Sequence, residues 1–481
     1  MKKQIFVIFL FLISLFSFYK LDFPYFFTDE ILYVQEGFDN LNGNYEQNLQ
    51  VPFLAKFIAG ISFNFFSYNV FGLRAVFAVI FILFLYFLFR FLSKLYGDKY
   101  GFLGTLLYFF GVINLESNRM VMLEAPMHLF WILFLYFHYQ TFVLDRNFLN
   151  KKIFIFIGLF LGLSLITKFT SLILIIFIVL GIFYQKKFLG YDKKFLFSRY
   201  SSLFISSGIT FIFSYLHYFY SQGFIEGVKQ IFKFIRETYL QRNIEGKVHL
   251  IDGEVFNKSP IYSYFVNSLN TDGFFRTSIS FISLLSLKKL KKVSFNTIYF
   301  GTFFLLNFLL FIFLSLHNER YISTLWIPLV FLIIEGIKNL NITEIKKQLV
   351  LALTVLVSGV IFFAYLYNLK PTKYHALFLY FKEVTNNFQS NERMYSYGSV
   401  RSLTWYRRFV SNEDLFLYRR DYKIMSSEFP TFTYFAFDND ELRKITPLDN
   451  ELYRYVTENN KKFEKIETEF NFTIFKRIIS N

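Results

Sequence analysis

The stretch "NTIYFGTFFLLNFLLFIFLSL", residues 296–316, runs for 21 residues without a charged side chain. A backbone that enters a bilayer must satisfy its own N–H and C=O groups, and about 20 apolar residues wound into an α-helix cross the hydrocarbon core. Apolar runs of this kind recur along most of the chain, near 4–19, 68–89, 100–115, 124–144, 153–167, 169–185, 200–220, 274–287, 296–316, 321–337 and 348–369, which makes about eleven spans. The segment from 153 to 185 is too long for one ordinary span and is read as two, broken near Lys168. Residues 52–66, "PFLAKFIAGISFNFF", open with a helix-starting Pro and are amphipathic, which predicts a helix lying on the membrane surface.

Charge gives an independent test, because cytoplasmic loops collect Lys and Arg. Lys2 and Lys3 precede the first span. Every second loop after them is basic: Arg90, Lys94 and Lys99; Arg146, Lys151 and Lys152; Lys186 through Arg199; Lys288 through Lys292; and Lys338 through Lys347. The alternate loops are balanced or acidic. The first, residues 20–52, holds Asp22, Asp29, Glu30, Glu36, Asp39 and Glu46 against one Lys. This alternation predicts an odd number of spans, a cytoplasmic N-terminus and an outward-facing first loop. The "MKKQIFVIFLFLISLFSFYK" start is charged, then apolar, with no small-residue cleavage site after it, and reads as a retained first helix.

Composition supports this membrane class and removes others. Only 18% of the residues are charged, against roughly 25% in a soluble globule. The net charge of +16 lies in short clusters between apolar segments rather than on one basic face, which argues against a nucleic-acid partner. There is no Cys, so disulfides, thiolate metal sites and thiol nucleophiles are excluded.

After about residue 370 the hydropathy falls. "MYSYGSVRSLTWYRRF" reads as strand, glycine turn and helix, "TYFAFDNDELRKI" as the same order again, and "KIETEFNFTIFKRI" as a closing strand. The predicted organisation is therefore a mainly α, polytopic membrane domain over 1–369, with external loops at 20–67 and 221–273, followed by a small extracytoplasmic α/β domain over 370–481.

Polar residues near the membrane are costly to place, so those in external loops are candidates for chemistry. Asp29 and Glu30 in "FTDEILYVQEG" could cap a helix, or one of them could act as a general base. Lys56 could snorkel to the interface or hold a lipid phosphate. Arg119 and Glu124 bracket an external helix start in "NRMVMLEAPMHLF", where Glu124 could simply oppose the helix dipole. Glu124 and His128, at i and i+4, share a face and could hold a divalent metal. Lys168 interrupts "GLFLGLSLITKFTSLILI". His317, Glu319, Arg320 and Tyr321 crowd one external turn, where Arg320 beside Tyr321 suits a phosphate. All five sets fall on one predicted membrane face. Acids to activate an acceptor and cations to stabilise a departing phosphate fit transfer from a lipid phosphate.

In this order "FTDEILYVQEG", "VPFLAKFIAG", "FGLRAVFAVI", "NRMVMLEAPMHLF", "GLFLGLSLITKFT" and "NERYISTLWIPLVFL" resemble the membrane glycosyltransferases of the C-type (GT-C) superfamily, nearest to the protein O-mannosyltransferase and aminoarabinose-transferase group. The resemblance spans about residues 25–340, and the tail "YSYGSVRSLTWYRRF" is similar to the external domain of the aminoarabinose branch. It implies a GT-C fold in the cytoplasmic membrane. It also implies a sugar donor on polyprenyl phosphate, an extracytoplasmic acceptor (protein, glycan or lipid), and inversion at the anomeric carbon. Asp29 would be the general base, supported by Glu30, and Glu124 the second external acid. Lys56, Lys168 and Arg320 would hold the lipid phosphate, with His317 and Tyr321 beside them, while Arg74 and Arg119 would be structural or donor-orienting. No metal is required by the resemblance. The chain departs from the family pattern in reading "QVPF", with Gln50, where relatives show a His-Pro-Pro run, and in using Glu as the second acid. The rival readings are a transporter or flippase and a non-catalytic scaffold. A transporter would carry charges near mid-membrane and an internal repeat.

Overall fold

The computed structural model describes residues 3–22, 28–43, 52–67, 69–144, 149–236, 249–251, 254–256, 266, 269, 273, 276–278, 294–313, 320–368, 394–397, 434–438, 447–467 and 472–478. It divides into two compact units, one of residues 1–19, 36–62 and 74–368, the other of residues 20–35, 63–73 and 369–481.

The helices are α1 (Lys3–Phe18), α2 (Thr28–Leu41), α3 (Leu54–Phe66), α4 (Val70–Tyr96), α5 (Asp98–Phe109), α6 (Val112–Arg119), α7 (Glu124–Val143), α8 (Lys151–Leu165), α9 (Ile173–Phe188), α10 (Lys193–Gln222), α11 (Phe224–Ile235), α12 (Phe295–Phe313), α13 (Tyr321–Lys338) and α14 (Glu344–Asn368). Every apolar run named above coincides with one of these or with a consecutive pair, except 274–287, which lies mostly outside the described residues. The surface segment forms α3.

The count of eleven crossings is a different matter. Among the described residues five helices are long and apolar enough to cross a bilayer alone, or six if α6 and α7, bent by 106° at their junction, act as one. The physical reason is length. α8 has 15 residues and α5 has 12, which at 1.5 Å per residue reach about 22 and 18 Å, short of a hydrocarbon core of about 30 Å.

The core of the larger unit is built around α13. Its residues Ile322 to Ile337 are all buried, as expected of a helix that is apolar on every face and has neighbours on every side. α8 and α10 lie against each other through Gly158 and Gly162, a G-x-x-x-G pair. A Cβ at Gly158 would collide with the Leu203 carbonyl, and one at Gly162 would press on Thr210 Cβ at 2.7 Å. Buried polar groups in this bundle are matched. Gln185 donates to the carbonyl and hydroxyl oxygens of Thr141 at 3.1 and 2.8 Å, and accepts from the Tyr200 hydroxyl at 3.0 Å.

In the smaller unit a four-stranded sheet runs in the order β3 (Met394–Tyr397), β4 (Tyr434–Asp438), β6 (Phe472–Arg477), β5 (Phe463–Glu467), with α15 (Pro447–Glu458) between β4 and β5 in sequence. β3 and β4 are parallel, and the other pairs antiparallel. Phe435 and Phe437 of β4, Tyr453 of α15, Phe463 and Phe475 form its aromatic core. The residues expected to make one closing strand make most of a hairpin instead, β5 reversing into β6 with Glu467 opposite Thr473. Alternation of period two continues through both arms, so the pattern alone did not mark the reversal. The helices expected after β3 and directly after β4, at 401–408 and 440–445, lie outside the described residues. β1 (His249–Ile251) and β2 (Glu254–Phe256) form a separate short hairpin in the 221–273 insert.

Candidate functional site

Three interruptions of helical structure build the site in the larger unit. The first is the break after α8. The chain leaves the helix at Ile166, Lys168 adopts an extended backbone (φ −159°, ψ 129°), and a short 3-10 turn at Phe169–Leu172 leads into α9. Ser171 stabilises it: its hydroxyl accepts from Trp131 Nε1 at 2.9 Å and donates to the Ser164 carbonyl at 3.1 Å, which also accepts from the Thr167 and Lys168 N–H groups. The second is the bend between α6 and α7, which carries Arg119, Met122 and Glu124. The third is the start of α13, with Arg320 and Tyr321.

These three meet. Lys168 Nζ lies 2.6 Å from Glu124 Oε1, both side chains almost fully buried, and the same ammonium sits 4.3 Å from the centre of the Tyr321 ring. Arg320 Nη1 lies 2.8 Å from Met122 Sδ, and its guanidinium acts electrostatically on Glu124. Among the described residues the cluster brings two cations, Lys168 and Arg320, to the Glu124 carboxylate. Glu124 Oε2 is buried and accepts no hydrogen bond from the described residues.

A hydrogen-bond network behind Glu124 ties the elements together. Asn118 Nδ2 donates to the Asn114 carbonyl at 2.6 Å, which turns Asn118 Oδ1 toward His128 Nδ1 at 2.8 Å. An oxygen there can only accept, so Nδ1 carries the hydrogen, and in a neutral ring Nε2 accepts from Thr324 Oγ1 at 3.1 Å. The Tyr108 hydroxyl donates to the Ser323 carbonyl at 3.3 Å. α5, α6, α7 and α13 are thus stitched together one turn below Glu124. Both His128 nitrogens are engaged and Glu124 is paired with Lys168, so the i, i+4 pair considered for a divalent metal is occupied otherwise. Among the described residues no group of three or more His, Asp or Glu converges.

Two of the cations expected at the lipid phosphate are paired with carboxylates. Lys168 is paired with Glu124, and Lys56 is fully buried with its Nζ 3.0 Å from Glu36 Oε2. Burial draws the Lys56 ammonium below the usual lysine range, and the Glu36 carboxylate draws it back up. Glu36 was counted in the sequence only as one of six acids in the first loop. Its signal was the glycine beside it: α2 and α3 cross with backbones in contact at Gly37 and Gly60, where a Cβ on either would collide with the other helix, and that approach sets Glu36 against Lys56. α3 is in turn anchored to the first helix break, Leu54 N–H donating to the Ile166 carbonyl at 3.0 Å. Segments around 54, 124, 168 and 320 therefore converge. Arg119 donates to the Tyr19 carbonyl at 3.0 Å and Arg74 is buried. Glu116, in α6, accepts from the Tyr365 hydroxyl.

In the smaller unit Asp29 and Glu30 occupy the first turn of α2, where carboxylates oppose the helix dipole. Asp29 is half-buried and Glu30 fully buried. His317 and Glu319 lie outside the described residues.

Residues 50–208 match the family described as dolichyl-phosphate-mannose-protein mannosyltransferase. No curated protein sequence matches the chain. Among solved structures, ArnT from Cupriavidus metallidurans bound to undecaprenyl phosphate is similar with a TM-score of 0.63 and 10% identity, over 99% of each chain. The archaeal oligosaccharyltransferase AglB from Archaeoglobus fulgidus, in complex with an inhibitory peptide and a dolichol-phosphate, is similar with a TM-score of 0.59 and 11% identity, over 99% of this chain and 75% of that one. At these identities the likeness carries the fold alone. The chain is a mainly helical membrane protein with the GT-C fold, similar in that fold to ArnT and AglB and in residues 50–208 to the protein mannosyltransferases.

Proposed function

We propose that this chain is an integral membrane inverting glycosyltransferase that moves a sugar from a polyprenyl phosphate to an acceptor outside the cytoplasmic membrane. The observation that carries this reading is the meeting of Glu124, Lys168, Arg320 and Tyr321 from three sequence-distant helix ends. Two cations gathered beside an aromatic ring, one of them held by a buried carboxylate, suit a phosphate monoester or diester more than a neutral ligand. A transporter would need paths for its cargo through the bundle, whereas the bundle centre here is the continuously buried α13.

In the proposed reaction Asp29 takes the proton of the acceptor group, and the acceptor atom attacks the anomeric carbon from the side opposite the phosphate. The bond between that carbon and the phosphate oxygen breaks, and polyprenyl phosphate leaves with the electron pair. Lys168 and Arg320 stabilise the charge that develops on it. Glu124 holds the Lys168 ammonium in place. Lys56, neutralised by Glu36, acts at the phosphate only by sharing that pair. Glu30 supports Asp29 from the same helical turn.

The test is transfer of radiolabel from polyprenyl-phosphate sugars in membranes carrying the wild-type chain or Asp29→Asn. Loss of labelled product in the variant at equal expression supports the assignment. Undiminished transfer by Asp29→Asn would remove the base from the scheme, and no transfer by the wild type with any lipid-linked sugar would remove the reaction.

A further inference from the structure

At the opposite end of α7 from Glu124 lies a second cavity, with chemistry the transfer reaction does not use. His138 is 14 residues beyond Glu124 on the same helix, about 21 Å along its axis. The cavity has a volume of about 80 Å³ and is lined by His138, Phe142, Phe177, Gly181, Tyr184 and Tyr299 among others, none of them carrying a formal acid or a lysine or arginine cation.

The ring of His138 is fixed by its neighbours. Phe134 stacks on it at 5.3 Å, while Phe142 and Phe177 approach at 5.1 and 5.2 Å. The Tyr299 hydroxyl donates to the Leu135 carbonyl at 3.2 Å, so it receives the hydrogen of His138 Nδ1 across 3.0 Å. In the neutral ring this leaves a lone pair on Nε2. Nε2 is buried, has no hydrogen-bond partner among the described residues, and faces Gly181, where a Cβ would lie 3.1 Å from it and 3.0 Å from Phe142 Cζ. The missing side chain keeps the space in front of Nε2 open. A buried acceptor left unmatched is costly, so the site calls for a donor.

The cavity is placed to receive that donor from the lipid phase. The cavity borders Leu180 of α9 and Ile298 of α12, which are 44% and 41% exposed, and Val179 and Phe183 beside them are also exposed. These residues lie on apolar helices, α9 among those able to cross a bilayer. We propose that this cavity binds the hydroxyl end of an uncharged long-chain alcohol of the bilayer, with His138 Nε2 as the hydrogen-bond acceptor. The polar groups of the lining are the His138 acceptor and the hydroxyls of Tyr184, Tyr299 and Thr302, with no cation to hold a phosphate, and the volume admits the end of one chain.

The wild-type protein, purified in a detergent without hydroxyl groups, is heated in the presence of 1-decanol or of decyl methyl ether, which has no donor. Decanol is expected to raise Tm saturably, by about 2 °C, and the ether is not. His138→Phe removes the acceptor and Gly181→Ala fills the space, and either is expected to abolish the difference between the two compounds. Equal responses to decanol and ether in the wild type, no response to either, or a decanol response retained in His138→Phe would each overturn the proposal. The comparison within the wild type does not depend on the variants folding, and none of the readouts involves sugar transfer.

Discussion

Removing one partner of the Lys168–Glu124 pair should not cost the same from both sides. The pair is 2.6 Å apart and almost fully buried, and breaking such a pair leaves a charge without its counter-ion, at about 3–5 kcal/mol. Arg320 makes the two cases unequal. Glu124→Gln removes the carboxylate on which both Lys168 and Arg320 act, so its cost should lie at the upper end, about 4–5 kcal/mol. Lys168→Met leaves Glu124 with Arg320 still acting on it, and should cost less, about 2–3 kcal/mol. The double variant removes the second mismatch and should be more stable than Glu124→Gln alone, giving a coupling of about 2 kcal/mol. Thermal unfolding of the four proteins in one detergent measures this, as a Tm ordered wild type, then Lys168→Met, then Glu124→Gln, with the double variant above the last. Additive effects, or a larger loss for Lys168→Met than for Glu124→Gln, would show that Arg320 does not share the carboxylate and would refute the cluster as described.

Arg320→Lys keeps the charge and loses the planar fork, so transfer should fall by about 10-fold or more with the loss mainly in donor KM; an unchanged KM would remove Arg320 from phosphate binding. Gly37→Ala puts a methyl into the Lys56 carbonyl and should destabilise by about 2 kcal/mol or more, read as a lowered Tm, while Gly43→Ala, in open space at φ +81°, serves as a strained but uncrowded comparison. Glu36→Gln should lower Tm more than Glu36→Gln combined with Lys56→Met, because the single change strands a fully buried ammonium; the reverse order would mean that the pair is not closed in the membrane protein.

Much of the helical framework was legible because a bilayer forces its solution. Apolar runs in lipid have no option but helix, and "LITKFT" declared a break because a lysine cannot be carried through an apolar run without cost. α3 was readable from Pro52 and its amphipathic spacing, and β3 and β4 from short apolar runs. Crossing number was less legible, since hydropathy reports that α5 and α8 are greasy but not where each helix ends. Lys56 was read without Glu36, 20 positions earlier, because nothing in either residue's own neighbourhood names the other.

What the sequence by itself determined, then, is which segments prefer lipid, where charge interrupts them, and which residue types are on hand for chemistry; these follow from the transfer energy of each side chain and the period of the backbone, both local quantities. The tertiary structure alone decided which charges became partners. Lys168 found Glu124 across 44 positions, Lys56 found Glu36 where two glycines let helices touch, and His128 was turned by Asn118 into an acceptor for Thr324. A buried charge is tolerated only beside its counter-charge, so pairing is settled by how the helix ends pack, and packing is a property of the whole bundle.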